Sequence, residues 1–223
     1  MGRGLEATGS RIERMNADWL AKPGQIVILN GAPRSGKSSI VAVVQDTFAG
    51  PWMNLGVDVF AREVTPKRYR PGIGLRPGEP DHAVAGLVPT LYAAMYDSIA
   101  AHSRAGLNVV ADVGHHDPTI LKDCARRLAS LPVLFVGVRC PIEVIMGRRN
   151  AGQTGREGRY AVGSATDPVP APVRRWQEAV HQAGAYDLEV DTSHLSPVAC
   201  AEVIRRRLAD GPPPTAFERL AQY

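Results

Sequence analysis

Apolar residues fall in short continuous runs rather than in strict alternation: QIVILN at 25–30, LNVVADV at 107–113 and VLFVGVRC at 133–140. Strands with no polar face are covered on both sides, which is the situation in a parallel sheet sandwiched by helices. Two shorter stretches, WMNLGVD at 52–58 and DLEVDTS at 187–193, complete five predicted strands. Between them the spacing of apolar positions predicts helices over 36–48, 83–106, 119–130, 141–150, 173–184 and 197–209, with Pro89 marking a start or a kink in the second. Such alternation predicts an α/β fold, doubly wound around a five-stranded parallel sheet, with its ligand site at the carboxyl ends of the strands.

The remaining segments divide the chain. Residues 1–22 are polar with a weak helical pattern and read as an N-terminal extension; 23–210 hold the alternating elements and read as one domain; 211–223, opening with three prolines, read as a linker-like tail that ends in a short helix. Residues 65–80, TPKRYRPGIGLRPGEP, predict a loop, because the prolines remove donors and the glycines loosen the backbone.

Directly after the first strand stands GAPRSGKSS. Gly31, Gly36, Lys37 and Ser38 match G-x-x-x-x-G-K-[ST], with a strand before and a helix after, the context in which that spacing cradles phosphate. The intervening Ala32, Pro33, Arg34 and Ser35 offer backbone N–H groups to phosphate oxygens, and Ser39 continues into the helix whose dipole adds positive potential. Lys37 reaches the β and γ phosphates and Ser38 ligates Mg²⁺, so the motif predicts ATP and Mg²⁺ as cofactors.

Two carboxylates belong near the same sheet edge. Asp112 ends VVAD and is placed either to orient Mg²⁺ or simply to cap the turn after its strand. Asp58 ends NLGVD and is either a base for an attacking hydroxyl or the N-cap of a helix beginning at VFAREV. The segment MGRRNAGQTGREGRYA, 146–161, sets Arg148, Arg149, Arg156 and Arg159 among glycines. It reads as a lid dense in bidentate phosphate donors, with a solvated basic loop as the plain alternative. Which of Arg148 and Arg149 faces the phosphates stays open. His115 and His116 in DVGHHD have no partner at metal-ligand spacing, which favours a substrate-side or surface role.

Length and charge narrow the partners. The chain has 223 residues, is 44% hydrophobic and carries a net charge of +4. That suits one domain binding small anions, a nucleotide and a hydroxylated small molecule, rather than a nucleic acid, and Arg205 to Arg207 read as a solvated helix face. Three separated cysteines and no 18-residue apolar run predict a reduced cytoplasmic protein without a membrane span. Oligomeric state is left open.

These residues resemble the chloramphenicol 3-O-phosphotransferase family. The similarity is carried by QIVILNGAPRSGKSSIV, PWMNLGVD, AGLNVVADV, PVLFVGVRCPIEVIMGR and AYDLEVDTSH, in order from about residue 25 to 208. The resemblance implies a phosphate-loop kinase in which Asp58 deprotonates the acceptor hydroxyl, Lys37 and Ser38 serve phosphates and Mg²⁺, and Arg148, Arg156 and Arg159 contact the nucleotide. It implies chloramphenicol or a related antibiotic as acceptor. Four stretches depart from the family: NAGQTG lengthens the lid, VGSATDPVPAPVRRW expands the segment after it, TPKRYRPGIGLRPGEPDHAV is basic where the drug pocket is expected, and DVGHHD differs after its first carboxylate. Kinases of primary metabolites (shikimate, gluconate or nucleosides), which share this core, and a slowly hydrolysing nucleotide-binding regulator are the alternatives.

Overall fold

The computed structural model describes residues 22–69, 85–152, 160–182 and 184–222. Five strands form one sheet: β1 (Ile26–Asn30), β2 (Trp52–Asn54), β3 (Asn108–Val113), β4 (Val133–Arg139) and β5 (Leu188–Asp191). They lie in the order β2-β3-β1-β4-β5, and every pairing is parallel. The expected five-stranded parallel α/β sheet is the one observed.

The continuous apolar runs follow from coverage on both faces. On one face Ile26, Ile28, Val109, Ala111 and Phe135 pack with α3 (Val88–Arg104) and α4 (Pro118–Leu128), through Met95, Tyr96, Ile99, Leu121, Cys124 and Leu128. On the other, Val27, Leu29, Val110, Leu134 and Val136 pack with α1 (Lys37–Thr47) and α7 (Pro197–Asp210), through Ile40, Val41, Val44, Cys200 and Ile204. Successive residues in the middle of β1, β3 and β4 therefore enter opposite cores, which is why these stretches are continuously apolar. A third, smaller cluster joins Ala32 of the loop after β1 to α5 (Ile142–Asn150) and α6 (Ala171–Ala179), through Ile145, Met146 and Val173.

One expectation is corrected. The strand expected over 52–58 stops at Asn54, because β2 is an edge strand whose ladder with β3 ends there. The chain then turns at Gly56, where a Cβ would lie 2.0 Å from Oδ1 of Asp112, and continues as α2 (Val57–Val59) and the helical segment Phe60–Val64. The short helix expected at the end of 211–223 is α8 (Ala216–Gln222), and it is docked on the domain, with Ala216 and Phe217 buried in the first core. Phe217 meets Phe135 at 5.0 Å. Asp187 holds the helix in place: Oδ1 accepts the N–H groups of Thr215 (2.8 Å) and Ala216 (2.9 Å), and Oδ2 that of Phe135 (3.0 Å).

Phe217→Ala is expected to destabilise the domain by about 3 kcal/mol, the cost of emptying a buried aromatic site. A drop in the urea midpoint at constant slope measures it; an unchanged midpoint would show that α8 is peripheral to the fold.

Candidate active site

The loop between β1 and α1 curls through two positive-φ residues, Arg34 (φ 74) and Gly36 (φ 96). Gly36 is the N-cap of α1 and supplies no side-chain cap, so the positive end of that helix faces the loop. Gly31 cannot carry a side chain, since a Cβ would lie 2.6 Å from the Val138 carbonyl. Nζ of Lys37 donates to the carbonyls of Gly31 (2.8 Å) and Ala32 (2.9 Å). Burial lowers the Lys37 pKa, opposed by the fields of Asp112 and Asp58, and the Arg149 charge lowers it further.

Ser38 Oγ donates to Asp112 Oδ2 at 2.7 Å. The two groups read from the sequence as metal-facing are thus brought together by the parallel pairing of β1 with β3, which sets Leu29 opposite Asp112. Two hard oxygens suit a cation that completes its shell with phosphate and water, and among the described residues no larger His, Cys, Asp and Glu cluster offers a self-sufficient metal site.

Asp58 is exposed in the helical turn after β2. The N-cap of that turn is Gly56, with no side-chain cap bond, so the capping role is not the one Asp58 plays. Its charge acts on both Lys37 and Tyr92.

Arg148 braces the phosphate loop from behind. Its guanidinium donates to the Arg34 carbonyl (3.2 Å), Thr192 Oγ1 (3.2 Å) and the Thr192 carbonyl (2.8 Å), while Thr192 Oγ1 donates to the Ser35 carbonyl (2.7 Å). Arg149 is buried, with Nη1 on the Ala161 carbonyl (3.2 Å) and its guanidinium 5.3 Å from the Tyr160 ring. Arg34 leans away from its own loop: its side chain donates to the carbonyls of Arg148 and Gly152 at the C-terminus of α5 and also faces Tyr160 at 5.6 Å. Arg156 and Arg159 lie outside the described residues. Pro33 and Ser39 stay on the loop and the first turn of α1, with Ser39 N–H donating to the Gly36 carbonyl.

Sequence reasoning passed over Asn30, the fully buried last residue of β1. Its Oδ1 accepts the N–H of His115 (2.8 Å), and its Nδ2 donates to the Val180 carbonyl and the Tyr186 hydroxyl (both 2.9 Å). A single polar residue closing an apolar strand was the available signal. His115 is buried, with the Tyr96 hydroxyl 3.3 Å from Nδ1, so the surface or substrate-side role expected for it is replaced by a core one. Burial, with a smaller contribution from His116, pushes its pKa down to about 3. His116 is half-buried and lies against Trp176 at 4.7 Å between ring centres.

With this geometry in place, the sequence pattern that defines the family described as "Chloramphenicol phosphotransferase-like protein" matches residues 24–209. The chain belongs to the chloramphenicol phosphotransferase-like family. It is 28% identical over 210 residues to a Mycobacterium tuberculosis (strain H37Rv) protein whose O-phosphotransferase name is itself provisional, covering 88% of each chain. The fold is shared with an unliganded sugar kinase from Janibacter sp. HTCC2649 (TM-score 0.57, 20% identity, 86% of this chain and 97% of that one). It is shared as well with shikimate kinase from Acinetobacter baumannii (TM-score 0.54, 12% identity, 87% and 97%). This member of the chloramphenicol phosphotransferase-like family is a phosphotransferase acting on a small molecule. No helix among its described residues is long and apolar enough to cross a membrane.

Buried His115 and half-buried His181 set an acid limit on stability. An unfolded histidine takes a proton near pH 6.5, whereas native His115 holds out to about 3 and His181 to about 4. Between those values the unfolded state binds the extra proton, so stability falls as pH drops from about 6.5, by at most about 1.4 kcal/mol per pH unit for His115. Urea midpoints at pH 7, 6, 5 and 4 should decline more steeply for the wild type than for His115→Gln; parallel declines would show that His115 charges freely in the native state.

Proposed function

We propose that this protein is an ATP- and Mg²⁺-dependent kinase that phosphorylates a hydroxyl of a small molecule, with chloramphenicol or a related hydroxylated natural product as the first candidate. The observation that carries this reading is the convergence of Lys37, the Ser38–Asp112 pair and Asp58 around the open N-terminus of α1. The residues fit both bound groups. The positive-φ loop and uncapped helix suit a polyphosphate, and the serine–aspartate oxygens suit a hard divalent cation. Bound Mg²⁺ would supply charge neutralisation between phosphates.

The chain's own residues divide the remaining work. Lys37 exchanges its two carbonyl partners for phosphate oxygens, whose negative charge restores the ammonium that burial disfavours. Asp58, exposed and without a capping bond, takes the proton of the acceptor hydroxyl as its oxygen forms the new P–O bond and ADP departs. Arg148 and Thr192 hold the loop in the shape the phosphates need. Arg149, on the Lys37 side of the site, adds positive charge; Arg156 and Arg159 are assigned to the same role on the resemblance alone. Three buried free cysteines suit the reducing cytoplasm.

ADP release with Mg²⁺ATP, with and without chloramphenicol, tests the proposal. Stimulation by the drug, reduced roughly 10²- to 10⁴-fold in Asp58→Asn with nucleotide affinity retained, is the expected result. Stimulation by shikimate, gluconate or a nucleoside instead would move the acceptor to primary metabolism. No stimulation by any hydroxyl compound would favour a nucleotide-binding regulator, and a fully active Asp58→Asn enzyme would remove Asp58 from the chemistry.

Ser38→Ala bears on the metal. Loss of the hydroxyl should raise the Mg²⁺ concentration needed for half-maximal activity by about tenfold, the worth of one metal-facing oxygen in a hydrogen-bonded pair. An unchanged Mg²⁺ requirement would mean that the Ser38–Asp112 bond is purely structural.

A further inference from the structure

Arg34 stands in the phosphate loop at φ 74, the left-handed region that a residue with a Cβ keeps only where its surroundings hold it there. Its neighbours show what holds it. The Arg34 side chain leaves the loop, and Nη2 donates to the carbonyls of Arg148 and, at 3.4 Å, Gly152, where α5 ends. A guanidinium at that place meets the last carbonyls of a helix and the negative end of its dipole. The contact is returned: Nη1 of Arg148 donates to the Arg34 carbonyl at 3.2 Å. Each arginine thus holds the backbone of the other, 114 residues away in sequence.

Thr192, directly after β5, closes the same assembly. Its Oγ1 donates to the Ser35 carbonyl (2.7 Å), and its own carbonyl accepts Nη2 of Arg148 (2.8 Å). A planar trans peptide points its C=O and N–H in opposite directions, so a Ser35 carbonyl held on Thr192 turns the Gly36 N–H, at the head of α1, the other way. The Arg148 guanidinium lies beside that helix end, since a Cβ on Gly36 would be 3.5 Å from its Nη1. Among the described residues the local charge is Arg34, Lys37, Arg148 and Arg149 against Asp112 and Asp58, a cationic surplus that favours a polyanion.

We propose that Arg34 is a positioning residue: its side chain, clasped with Arg148, preshapes the phosphate loop for a nucleotide without itself touching a phosphate. The inference rests on the kinase reading for its ligand, and it gives the Arg34 side chain a task separate from the backbone N–H groups of the loop. A loop already fixed in its bound shape loses less conformational freedom when the ligand arrives, so the clasp is read out as affinity.

Calorimetric titration of the full chain with Mg²⁺ADP, and with Mg²⁺ and a non-hydrolysable ATP analogue, tests it. The loop N–H groups cradle the α and β phosphates, which both nucleotides carry. Arg34→Ala is therefore expected to weaken both by the same factor, about tenfold, the worth of a charge-assisted hydrogen bond. Arg34→Lys keeps a cation near the end of α5 but loses the fork that spans two carbonyls and the flat face on Tyr160, and should recover part of the loss. Arg34→Gly takes φ 74 without strain and should still bind more weakly than wild type, because it lacks the clasp. Arg148→Ala should weaken both nucleotides as well, and the double variant should be weakened by much less than the product of the single effects, because either change opens the same clasp. A loss confined to the ATP analogue would mean that Arg34 reaches the γ phosphate directly, and overturns the proposal. So do Arg34→Gly binding at wild-type strength, single effects that multiply, and a lowered urea midpoint with both affinities unmoved, the mark of a merely structural role. A wild type that binds neither nucleotide overturns this inference together with the kinase reading, whereas a wild type that binds both, with variants that bind as tightly, overturns this inference alone.

Discussion

The amide of Asn30 is the interaction on which the site depends. It sits where the fully apolar strand β1 gives way to the phosphate loop, and its three hydrogen bonds run to the turn after β3, to the end of α6 and to Tyr186 ahead of β5. A buried amide satisfied on all sides is rigid, because any movement leaves a polar group unpaired in a low-dielectric interior. Asp112 lies three residues before His115 and Trp176 four before Val180. One side chain therefore ties together the turn that follows Asp112, the end of the helix that carries Trp176 and the start of the loop between β1 and α1. Gly137 completes the arrangement, since a Cβ there would lie 2.7 Å from the Tyr186 ring.

Sheet and site share one cause. A parallel sheet covered on both faces collects its strand ends on one edge, and the uncapped N-terminus of α1 opens onto the same edge. The pairing of Leu29 with Asp112 brings a carboxylate to Ser38, although 74 residues separate the two in sequence. No local signal specifies that contact; it is a product of register.

The legible part of the molecule is the part governed by periodicity and by a spaced motif. Continuous apolar runs announced β1, β3 and β4, and G-x-x-x-x-G-K-[ST] located the phosphate loop, because both patterns are set by short-range geometry. What escaped reading was tertiary. β2 ends where its ladder with β3 stops and Gly56 passes too close to Asp112 for any side chain, and the docking of α8 rests on Asp187 and Phe135, far from PPPTAFERLAQY in sequence. The division of labour between Arg148 and Arg149 follows from which helix face meets the loop, and the burial of His115 from a tyrosine on another helix.

The three cysteines partition the interior in a useful way. Cys124 belongs to the core on one face of the sheet, Cys200 to the core on the other, and Cys140 to the small cluster that ties the phosphate loop to α5 and α6; each thiol is at most 3% exposed. Burial raises the pKa of Cys124 and Cys200, so neither reacts while its layer stays closed. Each layer thus carries its own natural reporter, and the order in which the thiols become reactive toward an alkylating agent reads out which layer of the domain opens first.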